Sequence, residues 1–495
     1  MNFLYYIILT IYTLALSYIT IYCLMQFTLL FHYLKHHKEQ ESKDTEETPP
    51  LEWPFVTIQL PIFNERFVVE RLIDNICKMD YPKDRFEIHI LDDSTDDTLE
   101  VCAKKVEEYK KLGFNIEQIK RVERIGFKAG ALQYDMALAK GEFLAIFDAD
   151  FLPNSDFLRK TIPHFKNEKV GVVQTRWEHI NEDYSLITKL QALQLNVHFS
   201  VEQRGRKAGN YLLQFNGTGG IWRRSAIEDA GGWQADTLTE DLDLSIRTQL
   251  KGYEIVYLEE VGSPAELPAE MNGLKSQQFR WMKGGAETAK KMLPSIWRSN
   301  LKLGQKIHAS SHLLGSSIFV VILIAALSSI PLLFILPELK HIPLGVYTYF
   351  MLGWLSIISI YYIANVRAFF NTDSYSKKII KFAVLFPLFL GLSMGLSLHN
   401  SIAVIQGFKG KKSPFIRTPK FNLKTVKDRI NSNAYLAKQI PTSTIIEGLL
   451  ALLFACSLAY GLYTGQRTFL VFHFLLTIGF GSICFYSIKH LQLRK

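Results

Sequence analysis

Charged residues are absent from long stretches of this 495-residue chain. Residues 2–34 contain no Asp, Glu, Lys or Arg, and further long apolar stretches fall near 308–336, 344–366, 382–408, 443–464 and 468–488. A helix that crosses a bilayer needs about 20 such residues. Because the first stretch has no basic segment ahead of it and is longer than a signal-peptide core, we predict a retained N-terminal anchor in an integral protein of the plasma or inner membrane.

Cysteine is scarce, and the common nucleotide-loop motifs are missing. The five cysteines show no paired spacing, which argues against a disulfide framework and against a cysteine metal site. The sequence has no P-loop and no G-x-G-x-x-G, so nucleotide hydrolysis and dinucleotide-dependent chemistry lack their usual motifs. The net charge of +9 does not predict a nucleic-acid partner, because the basic residues cluster beside the apolar stretches and therefore indicate membrane topology.

Basic residues mark the loops that we expect on the cytoplasmic side of the membrane. They place the polar insert of residues 51–300 in the cytoplasm, and two later clusters flank 382–408. The marking residues are Lys35, Lys38, Lys290, Lys291, Arg298, Lys302, Lys306, Lys377, Lys378, Lys381, Lys409, Lys411, Lys412, Arg417, Lys420, Lys424, Lys427 and Arg429. Since a single crossing cannot join two inside loops, 382–408 is predicted to be interfacial or re-entrant, with a hairpin of two short helices as the alternative.

The predicted domain order follows from these stretches. Residues 1–35 form an N-terminal transmembrane helix, 36–52 a charged linker and 53–300 a cytosolic domain. Residues 301–495 form a C-terminal membrane region with four spans, interrupted by a basic loop at 409–440. With this count of crossings the N-terminus lies outside and the C-terminus inside.

Short β-rich runs alternate with helical patterns in the insert. Strands are predicted at 56–63, 86–93, 114–120 and 142–150. The alternation predicts βαβ units and a mainly parallel sheet, and ligands of such sheets bind beyond the carboxyl ends of the strands. Asp92, Asp93, Asp148 and Asp150 fall at those ends. The carboxylates are therefore predicted to lie at the mouth of a cleft.

Two acidic motifs have both a chemical and a structural explanation. Asp148 and Asp150 offer the hard oxygen ligands that suit Mg²⁺ or Mn²⁺ bridging to a diphosphate, although a solvated turn at a strand end would also contain them. Thr239 is a plausible helix N-cap, with Glu240 and Asp241 in the first turn. Those acids stabilise the helix dipole, or one of them is a general base for an acceptor hydroxyl.

Two further motifs contain residues suited to sugar and phosphate. Gln277, Arg280 and Trp281 lie on a helical stretch that leads to the membrane. An interfacial Arg and Trp explain this pattern, and so does a site where Arg280 holds phosphate and Trp281 offers a flat face to a sugar. The glycine-rich run at 215–224 suits a backbone that approaches a ligand closely, but it is equally compatible with an ordinary loop.

Residues 55–300 resemble the processive family-2 glycosyltransferases. The motifs that carry the resemblance are P-x-x-N-E at 61–65, D-D at 92–93, D-x-D at 148–150, T-E-D at 239–241 and Q-x-x-R-W at 277–281. The runs LDDSTDDT, GFKAGAL, FDADF and FNGTGGIWR are similar to those of plant cellulose-synthase-like mannan and xyloglucan-backbone synthases. FIRTPK at 415–420 resembles the F-x-V-T-x-K gating loop of cellulose synthases, with Arg417 in place of valine. The resemblance implies an α/β GT-A fold, that of nucleotide-diphospho-sugar transferases, joined to an α-helical transmembrane bundle.

The resemblance also implies roles for individual residues. Asp241, with Glu240 beside it, would be the catalytic base. The nucleotide-sugar donor would be held by Glu65, Asp92, Asp93, Lys128, Asp148, Gln277 and Arg280. The acceptor sugar would contact Trp281, Gly217 and Thr218. Asp148 and Asp150 would bind Mg²⁺ or Mn²⁺, and Phe415, Thr418 and Lys420 would form the gating loop.

We therefore expect an inverting, metal-dependent enzyme that polymerises sugar from UDP-glucose or GDP-mannose into a β-linked polysaccharide through β-1,4 bonds and extrudes it across the bilayer. The alternative is a glycolipid-forming enzyme of the ceramide glucosyltransferase type, which transfers one sugar and stops. A third hypothesis is a non-catalytic transporter or sugar sensor. The joint presence of Asp148, Asp150, Asp241, Arg280 and Trp281 argues against it.

Overall fold

Residues 56–265 are built on one mixed sheet. A computed structural model describes residues 2–40, 52–338, 344–367, 373–413, 416–423, 425, 428 and 440–492. Its strands are β1 (Val56–Ile62), β2 (Phe86–Asp92), β3 (Ile116–Ile119), β4 (Phe143–Ile146), β5 (Val170–His179), β6 (Gly220–Arg223) and β7 (Glu254–Ala265). Their order is β3-β2-β1-β4-β6-β5-β7, and β6 runs antiparallel to both neighbours. The α/β sheet is confirmed, with β6 as an antiparallel strand that the alternation did not predict.

Helices cover the sheet and form the membrane part. Those of the α/β domain are α2 (Val69–Ile76), α3 (Thr98–Lys111), α4 (Phe127–Asp135), α5 (Phe157–Thr161), α6 (Leu186–Val197), α7 (Gln203–Ala208), α8 (Arg224–Asp229), α9 (Glu240–Leu250) and α10 (Met271–Arg298). The others are α1 (Asn2–Gln40), α11 (Leu303–Leu313), α12 (Ile318–Ile335), α13 (Met351–Tyr362), α14 (Tyr375–Gly395), α15 (Ser397–Phe408), α16 (Thr442–Thr464) and α17 (Leu470–Gln492). Every residue of β2 is buried, as expected of a parallel strand covered on both faces.

Six helical segments are long and apolar enough to cross a membrane among the described residues. They are Phe3–His36, Leu303–Glu338, Tyr347–Arg367, Tyr375–Gly395, Thr442–Thr464 and Leu470–Leu491. Five of them fall on the predicted spans. The sixth contains part of the predicted interfacial segment 382–408. The combination of an α/β domain with an apolar helical bundle confirms the predicted fold class.

Helices α14 and α15 both contact the α/β domain. Lys381 in the second turn of α14 pairs with Glu182 at 2.6 Å, and the apolar side of α14 packs against Ile187 of α6. Helix α15 crosses α10 closely, since a Cβ added to Gly407 would lie 2.6 Å from the carbonyl oxygen of Lys283. The segment therefore starts and ends beside the α/β domain, and its interfacial placement stays a prediction.

Candidate active site

A cleft of about 220 Å³ opens at the carboxyl ends of β1, β2 and β4. Most of the predicted site residues line it: Glu65, Asp93, Lys128, Asp148, Asp150, Gly217, Glu240, Asp241, Gln277, Arg280, Trp281, Thr418 and Lys420. Asp92 and Thr218 do not. Phe415 and half of the predicted loop 409–440 lie outside the described residues.

Asp92 and Thr218 face the protein interior behind the cleft. Asp92 is buried and accepts hydrogen bonds from the backbone N of Ser94 at 3.0 Å and from Gln118 Nε2 at 2.8 Å. The Thr218 hydroxyl accepts from the backbone N of Asp148 at 2.8 Å. Both side chains thus hold cleft loops in place.

The loop after β1 brings Glu65 into the cleft. Asn64 has φ 56°, a conformation that asparagine tolerates better than most residues, and its Oδ1 accepts from the backbone N of Thr95 at 2.8 Å. Glu65 pairs with Arg417 at 2.6 Å. Burial raises the pKa of Glu65 to about 8, although Arg417 and Lys420 lower it.

Arginines surround Asp93 at the end of β2. Arg121 Nε and Nη2 donate to the two Asp93 oxygens at 3.0 and 2.5 Å, and Arg124 Nε lies 3.8 Å from Asp93. The Arg124 guanidinium covers the Phe63 ring at 3.3 Å from its centroid. This end of the cleft therefore offers a flat cationic and aromatic surface suited to a planar ring.

Lys128 joins two parts of the cleft. Its Nζ donates to Asp148 Oδ1 at 2.5 Å and to the carbonyl oxygen of Gly217 at 2.9 Å. Gly217 has φ +81°, and a Cβ there would lie 3.1 Å from Asp241 Oδ2. Only glycine allows the 215–224 loop to pass so close to Asp241. In this glycine-rich run the backbone therefore approaches a cleft side chain closely.

Asp150 is paired with the predicted gating loop. Lys420 Nζ lies 2.7 Å from Asp150 Oδ2 and also donates to the carbonyl oxygen of Glu266. The Glu266 side chain in turn accepts from the backbone N of Phe421 at 2.9 Å. The loop is thus tied to the cleft at the D-x-D motif.

Two adjacent acids begin α9. Burial and the neighbouring Glu240 together raise the pKa of Asp241 to about 7, although backbone hydrogen bonds and Lys128 lower it. Burial also raises the pKa of Glu240, which Lys128 counteracts. Thr239 precedes the helix as predicted, but its hydroxyl bonds to Thr288 at 3.0 Å and does not cap the helix. A carboxylate with a pKa near neutrality can take up a proton at physiological pH.

Helix α10 presents Gln277, Arg280 and Trp281 to the cleft. Arg280 Nη2 donates to the Thr418 hydroxyl at 2.8 Å, which places the gating-loop residue beside this helix. A Cβ added to Gly284 would lie 2.6 Å from the Thr239 side chain. This glycine therefore lets α10 pack against the start of α9, and it brings two distant motifs together.

Arg124, Arg417 and Glu266 line the cleft but were not predicted as site residues, and neither was Arg121, which binds Asp93. Arg121 and Arg124 lie in a basic run after β3. That position at a strand end was the only feature of the sequence that placed them near the cleft. Arg417 was noted only as a departure from the gating-loop pattern. Glu266 lies in a strand-end run, and nothing in the sequence indicated its contact with Lys420.

The donor set at Asp148 and Asp150 suits a divalent cation only partly. Among the described residues no group of three or more His, Cys, Asp and Glu is arranged to hold a metal ion. Both carboxylates line the cleft, and each is compensated by a lysine ammonium. Mg²⁺ commonly binds through one or two carboxylates plus substrate phosphates, so two protein ligands suffice when a diphosphate supplies the rest.

Comparisons with known proteins agree with this geometry. A family model described as "Glycosyltransferase like family 2" matches residues 54–284. Glucomannan 4-beta-mannosyltransferase 2 of Arabidopsis thaliana is 32% identical over 469 residues, which cover 90% of this chain and 83% of the relative. Glucomannan 4-beta-mannosyltransferase 1 of Oryza sativa subsp. japonica is 42% identical over 262 residues, 52% of this chain and 50% of the relative.

A solved structure shares the fold. The mannosyltransferase PcManGT from Pyrobaculum calidifontis, in complex with GDP-Man and Mn²⁺, aligns with a TM-score of 0.51 and 19% identity. The alignment covers 80% of this chain and all of that one. With the motifs in one cleft and the Arabidopsis relative matched over most of its length, the chain belongs to glycosyltransferase family 2, among its cellulose-synthase-like members.

Proposed function

We propose that this membrane β-glycosyltransferase extends a β-1,4-linked glycan by inverting transfer from a nucleotide sugar. The observation that carries the proposal is Asp241, a half-buried acid whose pKa is raised to about 7, in the same cleft as Arg280 and Trp281. The relatives named as glucomannan 4-beta-mannosyltransferases make GDP-mannose the first donor to test and UDP-glucose the second.

Each of these cleft residues has its own role in a single-displacement reaction. Asp241 takes the proton of the acceptor hydroxyl while that oxygen attacks the anomeric carbon from the face opposite the leaving group. The bond from the anomeric carbon to the phosphate oxygen breaks, and the nucleoside diphosphate leaves with the electron pair. Arg280 and Lys128 offset the charge that develops on it. Trp281 holds the acceptor ring in line, so that an α-linked donor gives a β-linked product.

Asp148 and Asp150 would hold a divalent cation. Such an ion supplies Lewis-acid neutralisation of the diphosphate. We expect chelation with EDTA to abolish glycan synthesis and added Mn²⁺ or Mg²⁺ to restore it, because Arg280 and Lys128 alone leave part of the diphosphate charge uncompensated. Synthesis rates before and after metal repletion check this expectation. Full activity in EDTA after metal analysis finds no bound ion would contradict it.

The activity itself is tested in inverted membrane vesicles that contain the protein. Labelled GDP-mannose or UDP-glucose is added with Mn²⁺, and the product is sized and digested with linkage-specific glycanases. We expect a long polymer sensitive to a β-1,4 glycanase. A single-sugar product that is soluble in chloroform would instead assign a glycolipid synthase.

Extrusion of the glycan forms part of the proposal. Trp281 lies on α10, whose first turns contact α15, α16 and α17 of the bundle. An acceptor at Trp281 is thus already beside the membrane helices. In sealed inverted vesicles we expect the polymer inside the lumen, protected from added glycanase. A product that is fully digested without detergent would contradict extrusion.

We further propose that α14 and α15 lie at the cytosolic face without crossing the bilayer. The contacts of Lys381 with Glu182 at 2.6 Å and of Lys290 with the carbonyl oxygen of Phe408 at 2.9 Å support this placement, because both ends of the segment touch the cytosolic domain. Five crossings then put the N-terminus outside and the C-terminus inside. We expect a tag at residue 1 to be labelled in intact cells and a tag after residue 495 only after permeabilisation. Equal accessibility of both tags would contradict the count.

A further inference from the structure

A buried ion pair fastens the start of α10 to the membrane bundle. Lys275 Nζ lies 2.9 and 2.8 Å from the two carboxylate oxygens of Glu447 in α16, and it donates to the Thr444 hydroxyl at 3.2 Å. The side chains of Lys275 and Glu447 are 4% and 0% exposed. The three donors of the ammonium group are therefore matched by three acceptors from one membrane helix.

Two more helices hold the same turns of α10. His399 of α15 bonds through Nε2 to the carbonyl oxygen of Lys275 at 2.9 Å. The backbone N of Met271 donates to His490 Nδ1 of α17 at 3.0 Å. Polar contacts from α15, α16 and α17 thus converge on the first two turns of α10.

The ion pair is a costly way to join two helices. Glu447 is the only acidic or basic residue of α16, and α16 is one of the apolar segments long enough to cross a membrane. Removing a charge from water costs several kcal/mol even in relaxed proteins, and well-packed apolar residues often replace a buried pair without loss of stability. Apolar contacts tolerate sliding, whereas the pair restricts α10 to the rotations and depths that keep Nζ beside both Glu447 oxygens. The ion pair therefore contributes mainly by fixing the position of α10.

The helix whose position the ion pair fixes also carries residues of the cleft. At about 100° per residue, Gln277, Arg280 and Trp281 lie about 140–240° around α10 from Lys275. They therefore occupy the opposite face of the same helix, and Arg280 is only about 7.5 Å further along the axis. Any rotation or slip of α10 moves these side chains directly.

We propose that Lys275 and Glu447 are positioning residues, whose ion pair sets the rotation and depth of α10 and so presents Arg280 to the donor diphosphate and Trp281 to the acceptor. The proposal rests on the proposed function of the cleft. A displacement of about 1 Å can cost an enzyme about 100-fold in rate. Loss of the pair is therefore expected to act on substrate binding and chemistry more than on folding.

Three variants test the proposal. The double variant Lys275→Met/Glu447→Met removes both charges, and the reciprocal variant Lys275→Glu/Glu447→Lys restores a pair with reversed polarity. The matched control is Lys381→Met/Glu182→Met, which removes a 2.6 Å pair that also joins the cytosolic domain to a later helix but does not involve α10. For each protein, thermal unfolding, the dissociation constants of GDP and UDP, kcat, KM and product length are measured.

We expect the double variant to unfold at the parent temperature or above it, to bind the preferred nucleotide about 10- to 100-fold more weakly and to make shorter glycans. The reciprocal variant should recover part of both properties, and the control should match the parent. A double variant with unchanged nucleotide binding, kcat and product length overturns the proposal, and so does one that has lost its fold, because the pair then serves stability. If the parent binds nucleotide but makes no glycan, the proposed function fails. The dissociation constants of GDP and UDP for the variants then still report whether the ion pair positions α10. A parent that binds neither GDP nor UDP overturns both proposals.

Discussion

Replacing Asp241 by asparagine is expected to lower glycan synthesis by about 100- to 10,000-fold, the contribution of a general base. Asparagine keeps the size of the side chain but cannot take the acceptor proton. Donor binding should change little, because Arg280, Lys128 and Asp148 remain. Initial rates with labelled donor, measured beside equilibrium binding of the nucleotide diphosphate, separate the two effects. A variant that retains the parent rate would remove Asp241 from the mechanism.

The pH profile of the parent gives a second test of the same carboxyl. Since the pKa of Asp241 is about 7 and the base must be ionised, the rate is expected to rise between about pH 6 and 8 and then level off. The matched control is Asp236→Asn, an exposed aspartate on the preceding loop that pairs with Lys291. It should keep both the rate and the profile, because surface pairs contribute little.

Ionisation of Asp241 is expected to lower the stability of the folded protein, although it raises the activity. Its pKa in the folded protein is about 7, against an ordinary value of 3.8. The folded state therefore holds a proton that the unfolded chain releases between these values, and the contribution to stability falls as pH rises through that window. The asparagine variant should accordingly unfold at the same temperature as the parent or higher at pH 8. A lower unfolding temperature there would show that the carboxylate stabilises the fold.

Replacing Arg280 by alanine is expected to weaken donor binding by about 30- to 5,000-fold, which corresponds to the 2–5 kcal/mol lost when one partner of a desolvated charge pair is truncated. The reason is that a guanidinium donates parallel hydrogen bonds to a diphosphate. The loss should fall on the KM for the nucleotide sugar and on the dissociation constant of the free nucleotide. Arg280→Lys keeps the charge but not the fork of donors, so an intermediate loss is expected.

The matched control for this change is Arg298→Ala. Arg298 is an exposed arginine at the other end of α10, so its removal makes the same change on the same helix outside the cleft. It should leave the KM for the donor within about twofold of the parent, because exposed charges contribute little. Equal effects of the two substitutions would mean that Arg280 acts through general charge and does not hold the diphosphate.

Several elements followed from local sequence. The strand predicted at 86–93 is β2 (Phe86–Asp92), because aromatic and β-branched residues at alternate positions are a local strand signal. The helical pattern after it is α3 (Thr98–Lys111). Strand β6 (Gly220–Arg223) was not predicted, since four residues after a glycine-rich loop carry little periodic signal. Its antiparallel place between β4 and β5 depends on tertiary pairing.

The sequence by itself determined where the membrane helices lie and which carboxylates end the strands, because a bilayer demands long apolar runs and strand ends are local. Only the tertiary structure decided which lysines and arginines pair with the carboxylates at the strand ends and with Glu447 in α16. Lys420 contacts Asp150 across 270 residues and Lys275 contacts Glu447 across 172. Both contacts depend on the path that α14 to α16 take around α10. No local pattern encodes that path, since it is fixed by packing between helices that are far apart in the chain.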